Sequence, residues 1–339
     1  MQVSVIIPNW NGRTHLPVCL ESLEGQTFRD FEVVLVDNGS ADGSTDLVRS
    51  RYPWVKLVEL PQNAGFAGAN NAGLRNAAGE YVVTLNNDTR ADPRWLEELV
   101  SAAESRPGIG MAASRICNYE APDVVDSLGI RIAADGMSRG AHRRERFSSL
   151  RLARVEPILL PSACAALYRR GLLDEIGFFD EDFFAYCEDT DLGLRARLAG
   201  WDAVLARDAV VHHKYSMTGG ALSPFKLYLV ERNHYWVVLK TFPTRLLARV
   251  PFHSVVRYWT QASLVLGGRG TGQEFRRSEA RGAAAKALLR GLKDALAGAP
   301  RMWRKRARFG PHRKIPDRRL ADLLRQYRLS FRELLDAEP

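Results

Sequence analysis

The regular alternation of short apolar runs with helix-like patterns over residues 3–113 restricts the fold more than any other feature. Val3–Ile7 reads as a strand, Thr14–Glu24 puts Leu16, Leu20 and Leu23 on one helical face, and Glu32–Val36 reads as a second strand. A helix near Ser44–Arg51, a strand at Val55–Glu59, a helix at Ala67–Ala77 closed by Gly79, and a strand at Tyr81–Leu85 continue the pattern. Asp92 and Pro93 are expected as N-cap and first residue of another helix, and Ile109–Ala113 as a fifth strand. Such a rhythm predicts an α/β fold, a mostly parallel twisted sheet flanked by helices.

Between Ile116 and Leu160 the rhythm fails. Asp135-Gly136 reads as a turn and Arg139–Arg146 as a mobile basic loop. Order is expected again at Ala163–Tyr168 and in a helix after Asp189, where Asp191 and Arg195 stand at i,i+4 and Leu194 and Leu198 share a face; Gly200 would end it. Residues 225–266 read as amphipathic helices broken by Pro243 and Pro251. Their longest uncharged run, Tyr258 to Gly268, falls well short of the roughly 20 residues a spanning helix needs. They could lie on a membrane but not cross it.

Charge sharpens the division. From Arg269 to Pro339 the chain carries nineteen Lys/Arg against eight Asp/Glu; with a total of +9, the first 268 residues are left at −2. A hydrophobic content of 46% excludes wholesale disorder. The opening Met1–Pro8 reads as a strand and not as a secretion signal, and the four cysteines show no paired or metal-type spacing. Reduced thiols and a cytoplasmic location, with attachment to the inner face of the cell membrane left open, are the expectation.

Five segments could carry chemistry. Strands deliver Asp37 and the run Leu85-Asn86-Asn87-Asp88-Thr89 to their carboxyl ends, where open α/β sheets bind ligands. Asp37 could accept hydrogen bonds from a nucleoside, and Asp88 could hold a hard cation that bridges a diphosphate. Asn63-Ala-Gly65-Phe66-Ala-Gly68 precedes a helix N-terminus and would let backbone approach a phosphate. In Phe178–Asp191 aromatic residues alternate with carboxylates, so a partly desolvated acid there could act as a general base. Ala209–Lys214 ends a short strand in His212 and His213, one of which could complete a metal site with Asp88. Four of them have a plain architectural reading too: a turn at Asp37, an Asn-Asn-Asp turn, a helix cap at Asp189, a pair of surface histidines.

Taken in order, Ser4-Val-Ile-Ile-Pro8-Asn-Trp-Asn11-Gly, Val36-Asp37-Asn-Gly-Ser40, Asn63-x-Gly65-Phe66-Ala67, Leu85-Asn-Asn-Asp88 and Phe184-x-Tyr186-x-Glu188-Asp189-x-Asp191-Leu192 resemble the inverting, nucleotide-sugar-dependent glycosyltransferases of family 2, above all the rhamnosyltransferase-like branch. The likeness covers residues 2 to about 240. It implies a GT-A fold over 1–220, with a nucleotide-binding half (1–115) and an acceptor half (116–220), followed by amphipathic helices (221–268) and a basic extension (269–339).

The same resemblance implies site roles. Pro8, Asn9, Asp37 and Asn63, with Asn86 and Asn87, would contact the nucleotide-sugar, and Asp88 with His213 would hold Mg²⁺ or Mn²⁺. Asp189 would be the catalytic base, with Glu188 and Tyr186 toward the acceptor. Asn86 replaces the first Asp of the family's Asp-x-Asp motif, which leaves fewer charged ligands. The histidine before Lys-x-Ser favours His213 over His212, and Trp201 closes the helix after Asp189 as in similar chains.

The implied donor is a dTDP- or UDP-sugar, L-rhamnose first, and the implied acceptor a glycan or lipid-linked glycan. The tail from Arg301 to Phe309 interleaves bases with aromatics and suits an anionic membrane surface better than nucleic acid, because amphipathic helices precede it. A nucleotidyltransferase and a non-catalytic glycan- or nucleic-acid-binding module are the competing classes. The first would carry a basic phosphate loop where this chain has Asn9-Trp10-Asn11-Gly12, and the second would not need Asp88, Asp189 and His213 together.

Overall fold

A computed structural model describes residues 1–214, 223–266 and 278–335. Tyr215 and Ser216 of the Lys-x-Ser run, and the start of the basic extension, lie outside the described residues. The chain divides into two compact units, Met1–Ile130 with Gly140–Met217, and Arg131–Arg139 with Thr218–Pro339.

In the first unit the elements run β1 (Val3–Asn9), α1 (Leu16–Glu24), β2 (Phe31–Asp37), α2 (Ser44–Arg51), β3 (Lys56–Glu59), α3 (Gly65–Asn76), β4 (Tyr81–Leu85), β5 (Thr89–Ala91), α4 (Trp95–Glu104) and β6 (Ile109–Asn118). There follow β7 (Val125–Ser127), the β8 (Ile130–Ile132) and β9 (Ser138–Gly140) pair, most of which belongs to the second unit, and then β10 (Val155–Pro157), β11 (Ala165–Arg169), α5 (Arg170–Ile176), α6 (Glu188–Leu198) and β12 (Asp202–His213). The sheet order is β10-β12-β6-β11-β4-β1-β2-β3, with β5 on β12 and β7 on β6. The parallel part is β3-β2-β1-β4 together with β6-β12; β11 runs antiparallel between β4 and β6.

The apolar pattern explains the packing. Leu16, Cys19, Leu20 and Leu23 of α1 are buried at i, i+3, i+4 and i+7, against strands whose residues are buried almost without a break. On the opposite face α3 approaches so closely that a Cβ on Gly73 would lie 2.3 Å from Ile6 Cγ2. A large side chain there would push the helix off the sheet.

Several local expectations shift. Helix α4 starts at Trp95 with Arg94 as its N-cap, not at Asp92-Pro93, because the Asp92 side chain is engaged by His212. The fifth predicted strand runs on to Asn118. The basic loop is tied down: Arg144 N–H donates to Val125 O at 2.7 Å and Val125 N–H to Glu145 O at 3.0 Å. The short histidine-ending strand is in fact the last part of a strand of twelve residues.

The second unit is helical: α7 (Pro224–Thr241), α8 (Thr244–Leu247), α9 (Val250–Leu266), α10 (Ser278–Phe309), α11 (Asp317–Gln326) and α12 (Phe331–Leu335). The inner face of α10 is made of Ala287, Gly291, Ala295 and Gly298; a Cβ on Gly298 would lie 2.6 Å from the Trp236 ring of α7. Buried Arg257 of α9 ion-pairs with Asp135 of the β8–β9 turn and, at 3.0 Å, with Glu231 of α7. Among the described residues no helix is long and apolar enough to cross a membrane.

Candidate active site

The ends of β1, β2 and β4 carry a continuous polar chain. Asn9 pairs in register with Asp37 across the parallel strands. Asn87 Nδ2 donates to Asn9 Oδ1 (2.7 Å), and Asn9 Nδ2 donates to Asp37 Oδ1 (3.0 Å). Ser40 N–H donates to Asp37 Oδ2 (2.9 Å). Each Asp37 oxygen thus receives one bond and retains capacity for another acceptor role. A Cβ on Gly12 would lie 2.1 Å from Asn87 Nδ2 and 2.3 Å from Asn9 Oδ1, so only glycine leaves this chain intact.

Beside it, Asn38 stitches two loops together: its Nδ2 donates to Asn63 Oδ1 (3.0 Å) and Gly65 O (3.1 Å), and its Oδ1 accepts from Ala64 N–H (2.8 Å). Pro8 and Asn63 flank this network, both half-buried.

Strand pairing brings His213 to Asp88. Strand β12 runs antiparallel to β5 with His213 opposite Thr89, and Lys214 N–H donates to Asp88 O at 3.0 Å. His213 Nε2 then stands 3.4 Å from Asp88 Oδ1, and its Nδ1 lies 2.8 Å from Asp126 Oδ2. Neighbouring strand residues point to opposite faces, so His212 turns away and meets Asp92 at 3.1 Å. Burial alone would strip the His213 proton, but the Cys164, Asp126 and Asp88 side chains around it outweigh that and raise its pKa.

Asp88 Oδ1 and Asn86 Oδ1 are both buried without a hydrogen-bond partner. A carboxylate oxygen beside an imidazole, with an amide oxygen two residues earlier in the same run, suits a hard divalent cation. Among the described residues no group of three or more His, Cys, Asp or Glu converges as a metal site, so such a cation would take much of its shell from phosphate and water.

Asp189 reaches the same sheet edge from α6. The segment before it holds three non-glycine residues at positive φ, Phe184 (65°), Tyr186 (69°) and Cys187 (66°), the last being the N-cap. Phe184 O accepts Ala67 N–H at 3.1 Å and lies where a Cβ on Gly65 would come within 2.4 Å. The loop is therefore pinned on the start of α3. Asp189 Oδ1 accepts from Thr190 N–H (2.7 Å) and Oδ2 from Ala163 N–H (3.2 Å).

The next residue, Cys164, accepts Asn86 N–H on its carbonyl at 2.8 Å. Two consecutive residues, Ala163 and Cys164, thus tie Asp189 to the Asn86–Asp88 run. Burial pushes the Asp189 carboxyl up, and its hydrogen bonds pull it part-way back. Its neighbour Glu188 is buried, has Oε2 unpartnered, and is raised well above the usual carboxylate range by burial and by the charge of Asp189.

Glycosyl transferase family 2 is the family whose model matches, over residues 4–177, just over half of the 339 residues. The chain belongs to that family. It is a glycosyltransferase with a GT-A-like sheet, and it is similar to rhamnosyltransferases. An N-acetylglucosaminyl-diphospho-decaprenol L-rhamnosyltransferase of Mycobacterium tuberculosis is 32% identical over 239 residues, covering 63% of this chain and 77% of the relative. Among solved structures, S. aureus TarS 1-349 aligns over 96% of this chain and 92% of its own at 19% identity (TM-score 0.54). The mannosyltransferase PcManGT of Pyrobaculum calidifontis, solved with GDP-Man and Mn²⁺, covers 88% and 86% at 19% identity (TM-score 0.53). At these identities the structural likeness speaks for the fold alone.

Asn9, Asp37 and Asn87 form one network, and Asp88 and His213 face each other. Asp189 is not the helix cap but the second residue of α6. Gly65 serves packing against Phe184 and not phosphate approach, since the space its missing Cβ leaves is filled. Trp201 follows the helix, which ends at Leu198, and donates to Glu175 at 3.0 Å. Sequence reading missed Asn38, Gly12, Asp126 and the Ala163-Cys164 link. The first two sit inside the quoted motifs and were there to be found; the others depend on which strands pair.

Proposed function

We propose that this glycosyltransferase moves L-rhamnose from a nucleotide donor, dTDP-L-rhamnose foremost, to a polyprenyl-diphosphate-linked sugar, with inversion. The relative from Mycobacterium tuberculosis supports both halves of that reading, since its name specifies an L-rhamnosyl transfer to a lipid-diphosphate-linked sugar. The observation that carries the mechanism is the double tie of Asp189 and the Asn86–Asp88 run to Ala163 and Cys164.

Asp189 is the base. It takes the proton of the acceptor hydroxyl as that oxygen attacks the anomeric carbon, and the nucleoside diphosphate departs from the opposite face. One displacement inverts the configuration and needs no covalent enzyme intermediate. Asp37, Asn9 and Asn87 orient the nucleotide through the polar chain that joins them. Asp88 and His213 would hold Mg²⁺ or Mn²⁺, which offsets charge on the departing diphosphate. The manganese-bound mannosyltransferase neighbour supports divalent metal use in this fold. Glu188 and Tyr186 stand on the acceptor side.

Release of nucleoside diphosphate from a panel of dTDP-, UDP- and GDP-sugars, with and without a lipid-diphosphate-linked acceptor, tests the reading. Acceptor-dependent release from dTDP-L-rhamnose that stops with EDTA and returns with Mn²⁺ is expected. Release of inorganic diphosphate from a nucleoside triphosphate would move the protein to the nucleotidyltransferases.

A further inference from the structure

Helix α10 has two unlike apolar faces. The inner one, Ala287, Gly291, Ala295 and Gly298, continuing to Met302 and Phe309, packs in the helical unit. The outer one is a stripe of large residues at seven-residue spacing, Leu289, Leu296 and Trp303, which are 69%, 68% and 49% exposed. Seven residues advance an α-helix by almost two whole turns, so the three side chains form one row about 21 Å long. Ordinary solvated helices do not present such a row outward.

Cations border the row. Lys286, Lys293, Arg304 and Arg308 fall on the flank next to it, while Arg290 and Arg301 turn to the Tyr228 and Trp236 rings of α7; Asp294 is the one acid between Lys286 and Arg308. Arg306 is excluded from the count, because it donates to Phe242 O at 2.6 Å and closes the end of α7. An apolar stripe with a cationic flank matches the interface of an anionic bilayer, where the stripe enters the acyl boundary and the cations meet phosphate headgroups.

The same arrangement disfavours other occupants. A second copy would set one cationic flank against another, and nucleic acid would leave the Leu-Leu-Trp row without a partner. Helix α9 shows Phe252, Val255 and Trp259 exposed as well, but its Arg257 is buried in ion pairs and leaves that row without a comparable flank.

We infer that the outer face of α10, through Leu289, Leu296 and Trp303 with its cationic flank, docks the enzyme on an anionic membrane surface. The inference deepens the lipid-linked-acceptor reading and supplies the place where the enzyme would meet such an acceptor.

Co-sedimentation of the full chain with vesicles of phosphatidylcholine alone, or with phosphatidylglycerol added, tests it in the absence of any donor sugar. Binding at least about tenfold tighter to the anionic vesicles is expected, weakening with salt. The triple variant Leu289→Gln/Leu296→Gln/Trp303→Gln should lose that binding by about tenfold or more while its circular dichroism and melting point stay unchanged. Lys293→Gln/Arg304→Gln should lose several-fold and show a shallower salt dependence.

Brominated lipid should quench wild-type fluorescence more than that of Trp303→Phe, a readout that does not depend on the triple variant folding. Equal pelleting of wild type and folded triple variant, equal quenching of wild type and Trp303→Phe, or a concentration-dependent dimer without lipid binding would overturn the proposal. Acceptor-dependent transfer in solution would survive such a failure, so the two readings can fail separately.

Discussion

The sheet edge of the first unit and the buried charges of the second treat polar groups in opposite ways. Arg257, Asp135 and Glu231 are each 2% exposed or less, and they satisfy one another, with Tyr258 also donating to Glu231. At the sheet edge Asn86 Oδ1 and Glu188 Oε2 are buried without a hydrogen-bond partner, and buried Asp88 Oδ1 meets only the His213 imidazole at 3.4 Å. A buried unpaired acceptor costs about 1–3 kcal/mol, more when charged, and persists only where something else requires it. The closed network holds an architecture together; under the proposed function the open one is where donor and cation would bind. Removing a group from the first should unfold, and removing one from the second should disable.

The largest effect is expected at Asp189. Replacing it by Asn keeps the shape and removes the base, so transfer should fall by about 10²–10⁴. Nucleotide-sugar affinity should hold, while the melting temperature should fall slightly, because the amide nitrogen cannot accept one of the two N–H bonds that Asp189 receives. Calorimetric titration alongside a transfer assay checks this; near-wild-type turnover would take Asp189 out of the role. On the other side of the comparison, Arg257→Ala leaves Asp135 and Glu231 buried without a cation and should cost about 3–5 kcal/mol of stability. Denaturant unfolding reads that loss. An Arg257→Ala protein that lost activity but kept its stability would erase the distinction between the two networks.

The parallel half of the sheet was legible because β1, β2 and β4 are short apolar runs ending in Asn9, Asp37 and Leu85, and local pattern is enough to find them. The site was legible where one strand end carries it. What stayed hidden depends on long-range pairing. Strand β11 inserts antiparallel between β4 and β6, which aligns Ala165 with Leu85 and so places Cys164 on Asn86. No periodicity within 163–168 announces that register. Asp92 misled for a similar reason: Asp before Pro has the composition of a helix start, but His212 from a distant strand claims the side chain. The pairing of Asp135 with Arg257, 122 positions apart, is invisible for the same cause.

A smaller effect should follow at Gly65, where the sheet edge meets its supporting loop. Its φ of 77° and the 2.4 Å approach of Phe184 O mean that Gly65→Ala should cost about 2 kcal/mol or more in strain and overpacking. Because Phe184 leads into α6, the variant should also misplace Asp189 and lower kcat more than it raises KM. A fully active, equally stable variant would show that this contact does not set the loop.

The smallest effect, and the one that separates the two networks most directly, is expected from Glu188→Gln. Glu188 faces Asp189 and Asp191 on its own helix and Tyr168 from β11, and no cation among these offsets its burial. Its folded-state pKa therefore lies above the unfolded value near 4.3, and the folded protein holds the proton more tightly. The stability this supplies is complete below the unfolded value and is lost as pH rises through the raised folded value, at no more than about 1.4 kcal/mol per pH unit. Gln cannot ionise, so the variant should match or fall slightly below wild type near pH 4. It should gain on wild type as pH rises, ending on the order of 1 kcal/mol more stable at pH 7.5, the new amide offsetting part of the benefit. Melting curves of both proteins between pH 4 and 8 measure the difference. Parallel curves would mean that Glu188 already has a partner in solution, and the sheet edge would then be as closed as the Arg257 network.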